Sequence, residues 1–173
     1  MATKSFWDFS VRLYAKPGVE QACLALQNQF GLEVNNVLFC LWHGQRCGIF
    51  LQSTLLQMVE FSNEWHTNVV NPLRSTRSWM KGRNNMIDAT EDNFENLRNA
   101  IKKLELKAEW LQQGQLQSMV SDVPEYEVDD PKQAMIDNLQ NYLVVVDIQA
   151  EQSLMTHFEV VLNALERTND LTG

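Results

Sequence analysis

Apolar residues recur every three or four positions along most of this chain, and few helix-breaking residues interrupt them. Phe94, Leu97, Ile101 and Leu104 show the spacing, which is typical of one face of an α-helix. The chain holds only 7 Gly and 4 Pro in 173 residues, whereas a β-sandwich or barrel needs many tight turns. The sequence therefore predicts an all-α fold, a single-domain bundle of six to eight helices over residues 1–173.

Residues that start or stop helices divide the chain at short intervals. Ser5 and Asp8 have the spacing of a capping box, and Gly31 fits the left-handed position that ends a helix. Helix four is expected over residues 52–70 and helix five from Pro72 to about residue 81, unless the proline only kinks a longer helix. Further boundaries are predicted at Pro17-Gly18, His43-Gly44, Gly82, Thr90 and Asp130-Pro131.

The stretch from Val37 to Trp42 is apolar on every face of a helix. A helix of this kind has to be surrounded by others, so helix three, residues 34–43, is predicted to be the buried centre of the bundle. A buried strand is the alternative. Asn35 or Asn36 is expected to cap this helix. The β-branched run over residues 143–148 leaves the same choice between helix and strand.

The longest predicted helix begins at Thr90 and carries an apolar seam with a and d spacing. The seam lasts under three heptads, so we expect one arm of an antiparallel pair inside the bundle, with a homodimer through residues 94–111 as the alternative. Residues 121–131 are acidic, contain two prolines and have no period, which predicts a loop that is either a lid or a plain connector. The seam residues are Phe94, Leu97, Ile101, Leu104, Ala108 and Leu111.

The formal net charge of −8 is unevenly distributed. Residues 1–89 carry eight Lys or Arg and six Asp or Glu, whereas residues 90–173 carry six and sixteen. An acidic helical half is therefore predicted over residues 90–168. Because DNA and anionic membranes repel acidic surfaces, the total charge argues against DNA binding and against binding to such membranes.

The sequence contains no run of about 18 apolar residues, so no membrane insertion is expected. Its beginning lacks a secretory pattern, and the odd number of cysteines favours reduced thiols, which together predict a cytoplasmic location. Cys23 and Cys40 lie on apolar helical stretches and are expected in the core. Cys47 follows Arg46 near two glycines, and a neighbouring cation lowers the pKa of a thiol.

A basic cluster in helix five is the sharpest local feature. It comprises Arg74, Arg77, Lys81 and Arg83. Its first three members share one helix face, and Leu73, Thr76 and Met80 are expected to face the core beside it. Two guanidinium groups one turn apart are able to hold a phosphate or carboxylate. The sequence leaves four outcomes open: an anion or nucleic-acid contact, an acidic protein partner, ion pairs with the acidic half, or a solvated face.

Two tryptophans are candidates for the same site. Trp79 lies among the basic residues, where an exposed indole is able to stack on a base or a ring. Trp42 or Trp79 would line a pocket if the protein holds a ligand between its helices. Core packing is the alternative for each of them.

The catalytic motifs that carry a clear mechanism are missing from the sequence. No catalytic residue is predicted, and neither a metal nor a cofactor is expected. One hypothesis is a non-enzymatic binding or regulatory module that engages an unknown protein partner through the basic and aromatic helix face. The other is a small enzyme or ligand-binding protein for an anionic small molecule, phosphorylated or isoprenoid-like, held between helices.

Several blocks of residues 5–83 form an unusual combination: Phe6-Trp7-Asp8-Phe9-Ser10, Tyr14–Val19, Ala22–Gln27, Val34-Asn35, Leu38–Trp42, Val70–Arg74 and Arg77. In these blocks the chain resembles a bacterial family of uncharacterised proteins, DUF2390. The resemblance implies a bacterial cytosolic protein and supplies no activity, cofactor or catalytic residue. The residues that it makes natural to test are Trp7, Asp8, Asn35, Trp42, Arg74 and Arg77.

Overall fold

The computed structural model describes residues 5–88 and 90–166. The eight α-helices of these residues are α1 (Phe6–Tyr14), α2 (Val19–Phe30), α3 (Val34–Cys47), α4 (Gln52–Trp65), α5 (Asn71–Met80), α6 (Glu91–Ser118), α7 (Pro131–Val145) and α8 (Gln152–Glu166). No strand occurs in this part of the chain, so the prediction of an all-α bundle is confirmed. None of these helices is both long and apolar enough to cross a bilayer.

The caps explain why several helices begin where the sequence predicts. Ser5, Thr90 and Asp130 each accept a hydrogen bond from the backbone N–H three residues further on, at 3.1, 3.3 and 2.9 Å. Each bond satisfies a donor that the first helical turn leaves without a partner. Gly31 ends α2 with a φ of 69°, the left-handed conformation that favours glycine.

Helix α3 is the centre of the hydrophobic core, as predicted. Every residue from Val37 to Trp42 is buried, because α1, α2 and α7 pack around the helix. The predicted end at residue 43 was wrong, since α3 continues through Gly44 to Cys47. The glycine serves packing, because a Cβ atom there would lie 2.8 Å from the backbone of Met135 in α7.

Helix four ends earlier than predicted. Helix α4 stops at Trp65, and a π-helical turn over His66–Val70 leads directly into α5, with Pro72 in the first turn of that helix. The proline thus opens α5 without a break in the helical path. A π-turn inserts an extra residue and changes which side chains face a neighbour. The indole of Trp65 fixes the junction by donating a 3.0 Å hydrogen bond to the backbone oxygen of Ala108 in α6.

Helix α6 does form an antiparallel pair, with α5, but the predicted buried seam was only partly right: its Phe94 and Ala108 are buried. Leu97, Leu104 and Leu111 of the predicted seam are about half exposed. The buried face lies further round the helix and is partly polar, because α5 and α3 present polar side chains to it. Its members are Phe94, Glu105, Ala108, Gln112, Gln113 and Leu116.

Candidate functional site

Helix α5, the short 3-10 turn Asn84–Met86 and residues 91–111 of α6 form a helical hairpin that we call the arm. Met80 of α5 and Phe94 of α6 are both buried. The main hydrophobic core contains Leu116 from the far end of α6 but no residue of the arm. Contacts within the hairpin and polar contacts at its base therefore hold the arm in place.

Arg74 and Arg77 lie on the inner face of the arm, between α5 and α6. Arg74 donates from Nε to Glu105 Oε1 at 2.9 Å and from Nη2 to Glu109 Oε1 at 2.7 Å. Arg77 donates from Nε to Glu105 Oε2 at 2.6 Å. These contacts match the ion-pair outcome that the sequence left open. An external anion would have to displace a carboxylate from either guanidinium group.

The structure corrects the expected orientation of helix five. Leu73, Thr76 and Met80 were predicted to face the core, but Thr76 is exposed. Arg74 and Arg77 take its place at the interface with α6, because the glutamates of α6 satisfy their charge there.

The pKa values of the two glutamates that bind the arginines are shifted in opposite directions. Burial raises the pKa of Glu105, but hydrogen bonds from Arg77 and Arg74 outweigh burial and hold the pKa below its usual range. Burial also raises the pKa of Glu109, and here the single contact with Arg74 does not compensate. Glu105 is therefore the firmer anchor of the inner face.

A second polar cluster adjoins the base of the arm. Glu33 caps α3 by accepting from the backbone N–H of Asn35 at 3.1 Å, and it also accepts from Gln112 at 3.2 Å. The Nδ1 atom of His66, the first residue of the π-turn, lies 3.1 Å from Glu33 Oε2. Burial raises the pKa of Glu33, but the contacts with His66, Gln112 and the cap lower it further than burial raises it.

The prediction that Asn35 or Asn36 caps α3 was wrong, because Glu33 holds that position. Asn35 is buried and exchanges hydrogen bonds with Gln112 at 2.9 Å and Gln113 at 2.7 Å. Asn36 accepts a hydrogen bond at 2.6 Å from a buried serine of α4. The asparagines therefore join α3 to α6 and α4.

The end of α5 and the turn that follows it form the tip of the arm: Trp79, Lys81, Arg83, Met86 and Ile87. Trp79 is 53% exposed, and the Arg83 guanidinium lies 5.0 Å from the centre of its ring. Arg83 also donates to the backbone oxygen of Trp79. Lys81 takes part in no ion pair with a described residue. The tip therefore presents a cationic and aromatic surface, with Met86 and Ile87 exposed beside it.

Trp42 lies in the main core and not at the tip. Its ring is 5.6 Å from that of Phe6 and 5.7 Å from that of Phe39, and it is only 4% exposed. The guanidinium of Arg46 covers it at 5.5 Å. The structure thus brings Trp79, Lys81 and Arg83 together, and it places Trp42 in a different environment.

The outer face of α6 is an exposed surface that was not predicted from the sequence. Leu106 and Trp110, one turn apart, are about half exposed, as are the three leucines of the predicted seam. Lys103 and Lys107 lie between these two apolar rows. An open groove of about 610 Å³ runs along this helix, and Arg77 and Lys102 are among its lining residues. The sequence signal was an α6 pattern with apolar residues on two faces.

The pKa of the Cys47 thiol is raised overall, because the lowering effect of Arg46 is outweighed by its surroundings. Cys47 is the last residue of α3 and is buried. Burial raises the pKa of its thiol, Glu125 raises it further, and the opposing effect of Arg46 is smaller. Glu125 belongs to the loop over residues 121–131, which also donates from the Tyr126 hydroxyl to the backbone oxygen of Cys47 at 2.9 Å. Within residues 5–88 and 90–166, no three His, Cys, Asp or Glu side chains are grouped so as to hold a metal ion.

Comparison with known proteins identifies a family whose function is unknown. The model of a family described as a protein of unknown function (DUF2390) matches residues 5–116. The match continues past the resemblance seen in the sequence, through the whole arm and most of α6. No curated protein and no solved structure matches the chain.

Proposed function

Since this chain belongs to the DUF2390 family of proteins of unknown function, we propose from its own surface that it is a non-enzymatic binding or regulatory module for an acidic protein partner. The tip of the arm supplies the primary contact. The observation that carries the proposal is the exposed Trp79 stacked by Arg83, next to Lys81, with no carboxylate paired to either cation in the described residues.

The composition of the tip suits recognition of a protein. Tryptophan and arginine are the residues most enriched among the strongest contributors to protein interfaces. The stacking of Arg83 on Trp79 fixes both side chains in advance, so less side-chain entropy is lost on binding. Lys81 and Arg83 attract an acidic partner, although the chain as a whole is acidic.

Arg74 and Arg77 have a different role in this proposal. Their carboxylate partners in α6 fix the angle between the two helices of the arm, and this positions the tip. The three cysteines of the chain are free and buried, which supports a reducing, cytoplasmic location.

The test compares variants of the tip with a variant elsewhere on the surface. Tagged protein is recovered from cells that express the family member, and the proteins recovered with it are quantified by mass spectrometry. Trp79→Ala with Lys81→Glu is expected to remove an acidic partner, because both the anchor and the attraction are lost. Val144→Ala, at a site 78% exposed on α7, is expected to leave that partner unchanged.

The partner is then purified, and its dissociation constant is measured against each variant. Loss of at least tenfold in affinity is expected for the tip variant, since central aromatic and cationic contacts each contribute about 2 kcal/mol or more. Equal affinity for the tip variant and the Val144 variant would contradict the proposal.

A second candidate is the binding, or conversion, of an anionic small molecule, phosphorylated or isoprenoid-like. The groove along α6 favours it, because Lys102 and Lys103 line that groove without ion pairs in the described part of the chain. Glu105 and Glu109 also line the groove, but both are bound to arginines of α5. Calorimetric titration with inorganic pyrophosphate and with an isoprenoid diphosphate tests it. Binding that Lys102→Ala with Lys103→Ala abolishes would support this candidate, and absence of heat with both ligands would exclude it.

A further inference from the structure

We infer that the partner docks as an acidic amphipathic helix along the outer face of α6, an inference that rests on the function proposed above and names the form of the partner. The outer face comprises Leu97, Lys103, Leu104, Leu106, Lys107, Trp110 and Leu111. Each apolar member is about half exposed, at 46–55%.

The spacing of this face fits a helix as its occupant. Leu97, Leu104 and Leu111 recur every seven residues and so form a row along one side of α6. The row is about 21 Å long at 1.5 Å per residue, which matches some four turns of a helical partner. Leu106 and Trp110 form the second row. Single exposed leucines are ordinary, but a row of three at seven-residue spacing along one side of a helix marks an interaction surface.

The charges of the face select an acidic partner. Lys103 and Lys107 lie between the two rows, and Lys102 lines the adjoining groove. The acids of α6 between residues 96 and 111 are Glu105 and Glu109, and both are already bound to arginines of α5. The face therefore has cations without counter-charges of its own, and a helix with Asp or Glu beside its apolar stripe supplies them.

The same charges disfavour a second copy as the occupant. Two copies packed through this face would bring four lysines, two from each chain, into one interface. Glu105 and Glu109 would be unable to neutralise them without releasing Arg74 and Arg77. Like charges held close together in an interface repel each other and disfavour association. The homodimer expected as an alternative from the sequence therefore becomes an outcome of the test.

The experiment uses two synthetic amphipathic peptides of about 20 residues, with leucines at a and d positions and either glutamates or lysines beside them. Binding to the full chain is measured by fluorescence anisotropy at low salt and at about 1 M salt. The acidic peptide is expected to bind, and its affinity is expected to fall at least tenfold in high salt. The basic peptide is expected to bind at least tenfold more weakly.

Variants of the protein assign the binding to the outer face. Two variants are expected to lower the affinity for the acidic peptide at least tenfold. They are Leu104→Asp and the pair Lys103→Glu with Lys107→Glu. Leu24→Asp is the matched control, because Leu24 is 41% exposed on α2 and away from the face. Circular dichroism and thermal melting verify that each variant is folded. The lysine pair keeps the test valid if Leu104→Asp fails to fold.

Three results would overturn the inference. One is equal binding of the acidic and basic peptides, and another is equal binding of the control and the outer-face variants. The third is self-association in sedimentation that Leu104→Asp abolishes, because a second copy would then occupy the face. Loss of the cellular partner with Trp79→Ala but not with Leu104→Asp would refute only this inference. Retention of the partner in both variants would also refute the proposed function.

Discussion

Helices α3 and α6 both carry apolar residues at helical spacing, but α3 is buried around almost its whole circumference and α6 exposes one side. From Val37 to Trp42 every face of α3 is apolar, so any orientation in the bundle buries the same residues. In α6 the apolar residues occupy two rows, and the side that packs against the protein contains Glu105, Gln112 and Gln113. The orientation of α6 is thus set by polar pairing with α3 and α5. Its exposed leucines are left accessible to a binding partner.

The difference between α3 and α6 is tested most strongly by replacing one leucine with alanine in each helix. Leu41→Ala in α3 removes a fully buried side chain and is expected to lower the free energy of unfolding by about 2–5 kcal/mol. Leu104→Ala in α6 is expected to change it by about 0.5 kcal/mol or less. Urea unfolding followed by circular dichroism measures both. Similar losses would mean that the outer face of α6 belongs to the core.

The polar pairing of α6 is tested at its most buried carboxylate. Glu105→Gln replaces the carboxylate that Arg74 and Arg77 share with an uncharged amide. The substitution is expected to lower the free energy of unfolding by about 2 kcal/mol, because a hydrogen bond to a charged group contributes about 1.5–3 kcal/mol. Glu95→Gln is the control, because Glu95 is 44% exposed and lies 3.6 Å from Arg98. The control is expected to cost less than about 1 kcal/mol. Equal costs would show that the inner face contributes no more than a surface ion pair.

The two helices also differ in what a glycine does within them. Gly44→Ala in α3 forces a Cβ atom to within 2.8 Å of the Met135 backbone and is expected to destabilise by about 1–3 kcal/mol. Gly114→Ala in α6 meets nothing within 4 Å and is expected to stabilise by about 0.5–1 kcal/mol, because alanine favours a helix. Thermal melting distinguishes the two signs. A stabilising Gly44→Ala would contradict the close packing of α3 on α7.

The smallest expected effect is a dependence on pH. The arginines lower the pKa of Glu105, so its ion pairs contribute stability that is fully present above the ordinary glutamate pKa of 4.5 and is lost as the pH falls through the lower folded value. Urea unfolding from about pH 7 to about pH 3 is expected to show a shrinking difference between wild type and Glu105→Gln below that pKa.

The pKa of Glu109 is shifted in the opposite direction, so its effect on stability has the opposite dependence on pH. Because its pKa is raised in the folded protein, protonation favours the fold as the pH falls from that value towards 4.5. Glu109→Gln is expected to remove this gain, measured in the same unfolding series. A constant difference from wild type across the series would contradict the account of either carboxylate.

Local signals were enough to predict most of the fold. The caps at Ser5, Thr90 and Asp130 and the glycine that ends α2 depend on residues close in sequence, so they are readable without the tertiary structure. The centre of the bundle was equally clear, because an all-apolar helix has only one place to be. The end of α3 was missed because Gly44 serves a contact with a residue far along the chain.

The candidate site was only partly predictable for the same reason. The cluster of Arg74 and Arg77 was visible, but its carboxylates lie 28–35 residues away in sequence. The π-turn at His66–Val70 carries no distinct sequence signal, and it sets which side of α5 meets α6. Sequence periodicity likewise gave no means of finding the buried face of α6, because Glu105, Gln112 and Gln113 on that face are polar.

The most direct test of the account is site-specific photo-crosslinking in intact cells, with a benzophenone amino acid placed singly at Trp79, Leu104 or Val144. The account predicts that the first two positions capture one and the same partner through an acidic amphipathic helix, and that Val144 on α7 captures none of it. Capture of a second copy of this chain at Leu104, or the same adducts at all three positions, would contradict the claim that the arm is a docking site for an acidic partner.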